Sequence, residues 1–354
     1  MEPDDSLLKF EIPEIIYGIN SLSQIGHCAK RLGGERVLVV SDPGVIEAGW
    51  VDAAITFLDK ENLESIVYDN VVTNPRSFQV ELGAQLYNAE KCDVIIALGG
   101  GSPMDTAKGI AILVTNHGRI QDYVGCNLIS QPIPPLICVP TTAGTGSDVS
   151  QFAIIADPQD KIKMTILSRA IMADVSLIDP VLLQTKEPEL IAATGMDAIT
   201  HCIEAVLVPT VNPPAEGIGL DGLWRGWQAL PRAVKHGDDK QARWDMMMAS
   251  AEGAHAFTKG LGSVHAMSHA IGRREDLKLH HGTLNAVILP AVLRFNAPHC
   301  EAKYERLRTA MGLEPHADLA EAVEKMNEYI GMPSGLKAMG VTEDMIDDFV
   351  PHAL

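Results

Sequence analysis

A chain of 354 residues, 46% apolar and only 21% charged, can bury a large core, and its length suits two domains better than one. The formal net charge of −18, with no densely Lys/Arg-rich window, argues against nucleic acid and leaves small molecules or other proteins as partners. The start, MEPDDSLLKFE, is acidic without an apolar signal core, and no uncharged apolar run of about 18 residues follows, so a cytoplasmic protein with no membrane partner is expected.

Up to about residue 180, short β-branched runs alternate with amphipathic stretches: RVLVVSD, VDAAITFLDKE, ESIVYDN, SFQVELGAQLYNAEK, DVIIALGGG, DTAKGIAILV and LICVPTT. This alternation predicts βαβ units and a mainly parallel sheet, with ligands at the carboxyl ends of the strands. Beyond Pro188 the β-rich character fades, and Ala, Met, Leu and Glu recur with a helical period, so the second half is expected to be all-helical. The domains are therefore drawn as residues 1–183 and 184–354, with the boundary between Asp179 and Lys186. LVPTVNPPAEG, residues 207–217, reads as a loop between helices. Cys28, Cys92, Cys126, Cys138, Cys202 and Cys300 are widely spaced with no C-x-x-C, which suits reduced structural thiols.

Three stretches of the first half point to a nucleotide. Asp42 closes RVLVVSD, where a carboxylate can accept from a ribose diol and repel a 2′-phosphate; an ordinary turn aspartate before Pro43-Gly44 fits the residues equally. In DVIIALGGGSPMDTAKGI a buried strand ends at Leu98, and Gly99, Gly100 and Gly101 let backbone amides approach a ligand. Ser102 is then expected to cap a helix that starts at Pro103, with Asp105 in its first turn, making a pyrophosphate cradle. PTTAGTGSDVS, from Pro140, is rich in hydroxyls and Gly and reads as a second nucleotide loop or simply a long loop.

The second half carries the densest chemistry. Between Lys259 and Pro290 stand His265, His269, His280 and His281, four of the chain's twelve histidines. His265 and His269 are at i and i+4, as are Asp197 and His201 in GMDAITHCIEA, so on helices each pair projects from one face. One such pair is more often a satisfied core or surface pair; two, with a further His before a Gly, suggest a mixed N/O metal site. Cys202 adjoins His201 but points about 100° away on a helix, so it is not expected to be a ligand.

Taken together, GGGSPMDTAK, PTTAGTGSDVS, GMDAITHCIEA and GLGSVHAMSHAIG followed by HHGTLNAVILP resemble the iron-dependent (group III) alcohol dehydrogenase family, from YGINSLSQIG almost to the end. The resemblance implies a dehydroquinate synthase-like architecture: an α/β N-terminal dinucleotide-binding domain, an all-α C-terminal metal-binding domain, and an active site in the cleft between them. It implies hydride transfer between NAD and a small alcohol or aldehyde, with a divalent metal, Fe²⁺ first and Zn²⁺ as the alternative. By resemblance the metal ligands are Asp197, His201, His265 and His281, and His269 is a non-ligand histidine facing the nicotinamide that positions the substrate or relays its proton. Gly99, Gly100, Gly101, Ser102 and Asp105 fall in the pyrophosphate loop, and Thr141, Thr142, Thr145 and Ser147 in the second nucleotide loop. Asp42 stands where NAD-preferring members carry Asp, Phe152 and Phe257 are pocket-wall candidates, and a homo-oligomer is implied.

Several features depart from the family pattern. Asp148 replaces the more common Glu, Ala173 a frequent Pro, and the segment from Gly272 to His281 is longer, which leaves His280 as a rival to His281. The chain ends at VPHAL where members continue, as a short member or a truncation would. Arg273 and Arg274 in the long segment either pair with Glu275 and Asp276 or receive an anionic substrate end. The competing functions are a maleylacetate reductase-like enzyme and a non-catalytic metal or nucleotide binding module.

Overall fold

Successive side chains of a strand point to opposite faces, so a strand apolar on both faces needs a core on each. In the computed structural model, which describes residues 10–159 and 162–353, the β-branched runs do become such strands. In chain order the α/β unit contains β1 (Glu14–Tyr17), α1 (Ile25–Arg31), β2 (Arg36–Val40), α2 (Pro43–Glu47), α3 (Trp50–Lys60) and β3 (Glu64–Tyr68). There follow α4 (Ser77–Glu90), β4 (Val94–Gly99), α5 (Gly101–Thr115), β5 (Gly125–Cys126), β6 (Leu136–Pro140), β7 (Phe152–Asp157), β8 (Ile162–Leu167) and β9 (Val175–Ile178).

Six strands form one sheet in the order β1-β9-β6-β4-β2-β3, every neighbouring pair parallel. Val37 and Val39 of β2 join Val94, Ile96 and Leu98 of β4 in the core on one face. Leu38 and Val40 join Ile95 and Ala97 in the core on the other. From β2 the chain moves to β3 on one side and then to β4 on the other, so the order reverses between β2 and β4. In open parallel sheets that reversal opens a crevice at the carboxyl ends of the two strands, where ligands bind. A second sheet, β5-β8-β7, pairs β7 and β8 antiparallel from Phe152↔Leu167 to Asp157↔Ile162. The βαβ reading had not separated it from the main sheet.

From Lys186 onward the described residues hold no strand. The helices are α6 (Pro188–Leu207), α7 (Pro213–Lys235), α8 (Lys240–Ala256), α9 (Ser263–Ile271), α10 (His281–Asn296), α11 (Glu301–Met311), α12 (Leu319–Ile330) and α13 (Ile346–Ala353). α6 is long and apolar enough to cross a membrane, but 89% of its most apolar window is buried inside the protein, against α7, α8 and α10. The Pro-rich stretch resolves into a short loop and the start of α7: Asn212 caps the helix by accepting from Ala215 N–H, and Pro is tolerated in the first turn. One unit gathers residues 12–142 and 147–185; the other gathers Lys186 onward together with 143–146 and the described residues 10–11.

Candidate cofactor and metal sites

The crevice between β2 and β4 brings together the first two nucleotide signals. Asp42 follows the end of β2 and caps α2, its Oδ1 accepting from Val45 N–H at 3.1 Å. Its other oxygen lies toward β4: a Cβ on Gly99 would stand 3.3 Å from Asp42 Oδ2 and only 2.5 Å from Pro103 Cγ. Glycine is therefore what the turn at Gly99 accommodates. α5 starts at Gly101 with Gly100 as its N-cap, so Ser102 sits inside the first turn and does not cap the helix as expected. Gly fills a cap position well, and no side chain blocks the amides of the first turn, which the helix itself cannot satisfy. Such an N-terminus favours an anion through its dipole and its free N–H groups.

Asp105 turns inward. Its carboxylate accepts from Ser147 Oγ at 2.7 Å and Ile154 N–H at 3.2 Å, and burial pushes its pKa up to about 6 although Lys108 pulls it down. Asp105 and Ser147 thus tie the second loop to α5. Lys108 is buried and donates to Ser150 O at 2.7 Å and Phe152 O at 2.8 Å, reinforcing the same junction. Thr141 N–H donates to Gly99 O at 2.9 Å, which joins the two loops directly, and a Cβ on Gly100 would lie 3.3 Å from Thr142 Oγ1. Thr145 belongs to the stretch 143–146, which groups with the helical unit. Phe152 opens β7 and is half-buried.

In the helical unit, the three histidines and the aspartate that the resemblance singles out come together. Asp197 and His201 lie one turn apart on α6, His265 is in the first turn of α9, and His281 opens α10. The Nε2 atoms of His201, His265 and His281 stand 3.7, 3.6 and 3.6 Å from the same oxygen, Asp197 Oδ1. These separations are too long for hydrogen bonds. They are close to the edge, about 3.4 Å, of a tetrahedron with ligand bonds of about 2.1 Å. The donor set fits a divalent cation: Asp197, His201 and His265 are buried and offer ligand atoms within 4.8 Å of one another, while His281, 30% exposed, closes the group on its open side. His280 is exposed and serves as the N-cap residue of α10, so His281 is the member of the pair that reaches Asp197.

The surrounding contacts set the charge and orientation of these side chains. Burial holds His201 down at about 4 against the pull of Asp197, so its ring is neutral at physiological pH. For His265 burial acts downward too, but Asp197 and Glu204 outweigh it and raise the pKa to about 9, so a cation binding there must displace a proton. Asp197 is held well below the usual carboxylate range because the histidines around it overcome the effect of burial. Asn285 donates to Asp197 Oδ1 at 2.7 Å, and the same amide nitrogen lies 3.1 Å from His265 Nε2 and 3.2 Å from His281 Nε2. Sequence reasoning passed over Asn285 and Glu204, although Asn285 is at i+4 from His281 and Glu204 at i+3 from His201.

The other predicted residues fall around this centre. The ring of His269 is half-exposed, 4.9 Å from that of His281 and 6.2 Å from that of His265. Phe257 is buried with its ring 4.8 Å from His201, which makes it a wall of the metal site. Cys202 faces away, its thiol 4.0 Å from Ala249 O and its pKa raised by burial, as its place on the helix foretold.

Two family models match in succession: iron-containing alcohol dehydrogenase over residues 13–180, and the C-terminal part of the same family over residues 191–354. The chain belongs to the iron-containing alcohol dehydrogenase family. A 4-hydroxybutyrate dehydrogenase of Cupriavidus necator is 46% identical over 336 residues, 92% of this chain and 87% of the relative. An NAD-dependent methanol dehydrogenase of Bacillus methanolicus is 33% identical over 96% of this chain and 91% of its own. The crystal structure of a 1,3-propanediol oxidoreductase superposes with a TM-score of 0.95 at 34% identity, covering 99% of this chain and 94% of that one. As a member of this family the chain is an alcohol dehydrogenase, with NAD and a divalent metal as its cofactors.

Proposed function

We propose that the chain interconverts a terminal primary alcohol and its aldehyde on a substrate that carries a carboxylate at its other end, a short ω-hydroxy acid of the 4-hydroxybutyrate type. The observation that carries the chemistry is the convergence of three imidazole nitrogens on one carboxylate oxygen. In the oxidative direction the carbinol carbon gives a hydride to NAD, the hydroxyl loses its proton, and the products are aldehyde, NADH and H⁺. A divalent cation held by Asp197, His201, His265 and His281 supplies the Lewis acidity that makes the hydroxyl easier to deprotonate and the carbonyl easier to reduce. His269, half-exposed beside His281, is the candidate to position the substrate or relay the released proton.

Two things support the carboxylated substrate. The first is the 46% identity to a 4-hydroxybutyrate dehydrogenase. The second is Arg273. α9 ends at Ile271, but Gly272 keeps helical angles (φ −67°, ψ −2°), so His265, His269 and Arg273 follow one another at i, i+4 and i+8 along one row. Arg274 is chelated by Asp276 through two contacts of 2.8 Å, as the pairing expectation had it. With Arg274 so engaged, Arg273 is the candidate to receive an anionic substrate end.

The test compares NADH formation from 4-hydroxybutyrate and from 1-butanol, for the parent chain and for Arg273→Ala. The proposal expects KM for the hydroxy acid to rise about tenfold in the variant, equivalent to about 1.4 kcal/mol, while KM for butanol stays put. Equal effects on both alcohols would remove Arg273 from the reading, and a parent preference for butanol would remove the carboxylate. We place the enzyme in the cytoplasm as a homo-oligomer. The free thiols Cys28, Cys92, Cys138 and Cys202, all buried, support the first, and the family resemblance supports the second.

A further inference from the structure

Glu204 lies on the face of α6 that carries Asp197 and His201, seven and three residues beyond them, and is buried, 2% exposed. Its Oε1 accepts from Val264 N–H at 2.7 Å, and its Oε2 lies 2.6 Å from His265 Nδ1 and 3.4 Å from His265 N. Val264 and His265 are the second and third residues of α9, whose own N-cap, Gly262, has no side chain with which to cap them. A Cβ on Gly262 would stand 2.7 Å from Oε1, so glycine there is what lets the carboxylate in. Glu204 therefore does for α9, from a different helix, what a capping side chain does from within.

We propose that Glu204 is a positioning residue for the metal centre, one that acts only through His265. By accepting from Nδ1 it fixes the ring hydrogen there and turns Nε2, the atom 3.6 Å from Asp197 Oδ1, toward the other donors. By accepting from the first turn of α9 it also ties that helix to α6, so the donors from both helices stand assembled before any cation arrives. This rests on the reading of Asp197, His201 and His265 as metal ligands.

Glu204→Gln keeps the volume but leaves one acceptor oxygen for two donors, so the amide NH₂ must face either Val264 N–H or His265 Nδ1–H. The experiment measures Zn²⁺ affinity of the full chain by competition with a chelator, alongside thermal unfolding with and without Zn²⁺. The expected result is roughly 10–100-fold weaker binding in Glu204→Gln, with the gain in thermal midpoint on adding Zn²⁺ reduced to match. Unchanged Zn²⁺ affinity with a lower midpoint in the metal-free variant would make Glu204 a structural cap only and overturn the proposal. Should the variant fail to fold, ring-nitrogen NMR of the Zn²⁺-loaded parent decides: protonated Nδ1 and bound Nε2 at His265 support it, and the reverse assignment overturns it. A parent chain that binds no Zn²⁺ would overturn the metal reading itself, an outcome distinct from equal binding by parent and variant.

Discussion

Asp42 uses its two oxygens differently, one capping α2 and one turned toward Gly99 at the crevice where the strand order reverses. The sequence left a turn role and a ribose role side by side, and the geometry accommodates both. Asp42→Gly separates them, because Gly at an N-cap costs only a few tenths of a kcal/mol. If the free oxygen excludes a 2′-phosphate, the variant keeps its thermal midpoint while its preference for NAD over NADP, read as the ratio of kcat/KM values, narrows at least tenfold; an unchanged ratio returns Asp42 to the cap alone. Asp197 and His201 were legible as a pair because they share a helical face at i, i+4, a relation contained in the sequence, whereas His265 and His281 entered the ligand set through the family resemblance. Glu204 was not, because its partners lie 60 and 61 residues away and only tertiary packing brings them to it.

At the scale of elements, α10 must approach α6 closely for His281 to reach Asp197. Gly282 permits this: a Cβ there would fall 2.1 Å from Ala193 O, a backbone atom that cannot step aside. Gly282→Ala should therefore push α10 outward, lower stability by about 1–3 kcal/mol in denaturant unfolding, and weaken metal binding with it. A variant that keeps both would show that this approach is not needed. The strands were readable because a sheet buried on both faces demands continuous apolar runs, and β2, β4 and β6 supply them. The start of α5 was misplaced because Ser102 looks like a cap, whereas the chain already turns helical at Gly101. The small sheet of β5, β7 and β8 escaped notice because its two-residue strand β5 carries no periodicity at all.

For the whole molecule, an acidic chain should show its excess of carboxylates in its pH dependence. In α7 and α8 Arg225 serves three: Asp221 at 2.7 Å, Asp245 at 3.1 Å and Glu252 at 3.6 Å. Burial, with Asp221 adding to it, pushes Glu252 up to about 8 despite the guanidinium. The folded state then keeps a proton that the unfolded chain releases above its ordinary value of 4.5, so stability falls as pH rises from about 4.5 to 8. Glu252→Gln should remove that slope, leaving stability near pH 5 unchanged and raising it by about 1–3 kcal/mol at pH 8. A gain of equal size at both pH values would contradict the assignment. His255 acts at the other end: burial holds it down at about 4, so stability drops as pH falls from 6.5 toward 4 and the unfolded chain takes up a proton the folded one refuses.

The central claim is that Asp197, His201, His265 and His281 hold a divalent cation on which dehydrogenation depends. NADH formation by the purified chain with a primary alcohol, after chelation and then readdition of Fe²⁺ or Zn²⁺, tests it most directly. The account predicts that turnover disappears with the metal and returns with one of the ions. Turnover that survives complete removal of the metal, or none with either ion from a chain that still binds NAD, would contradict it.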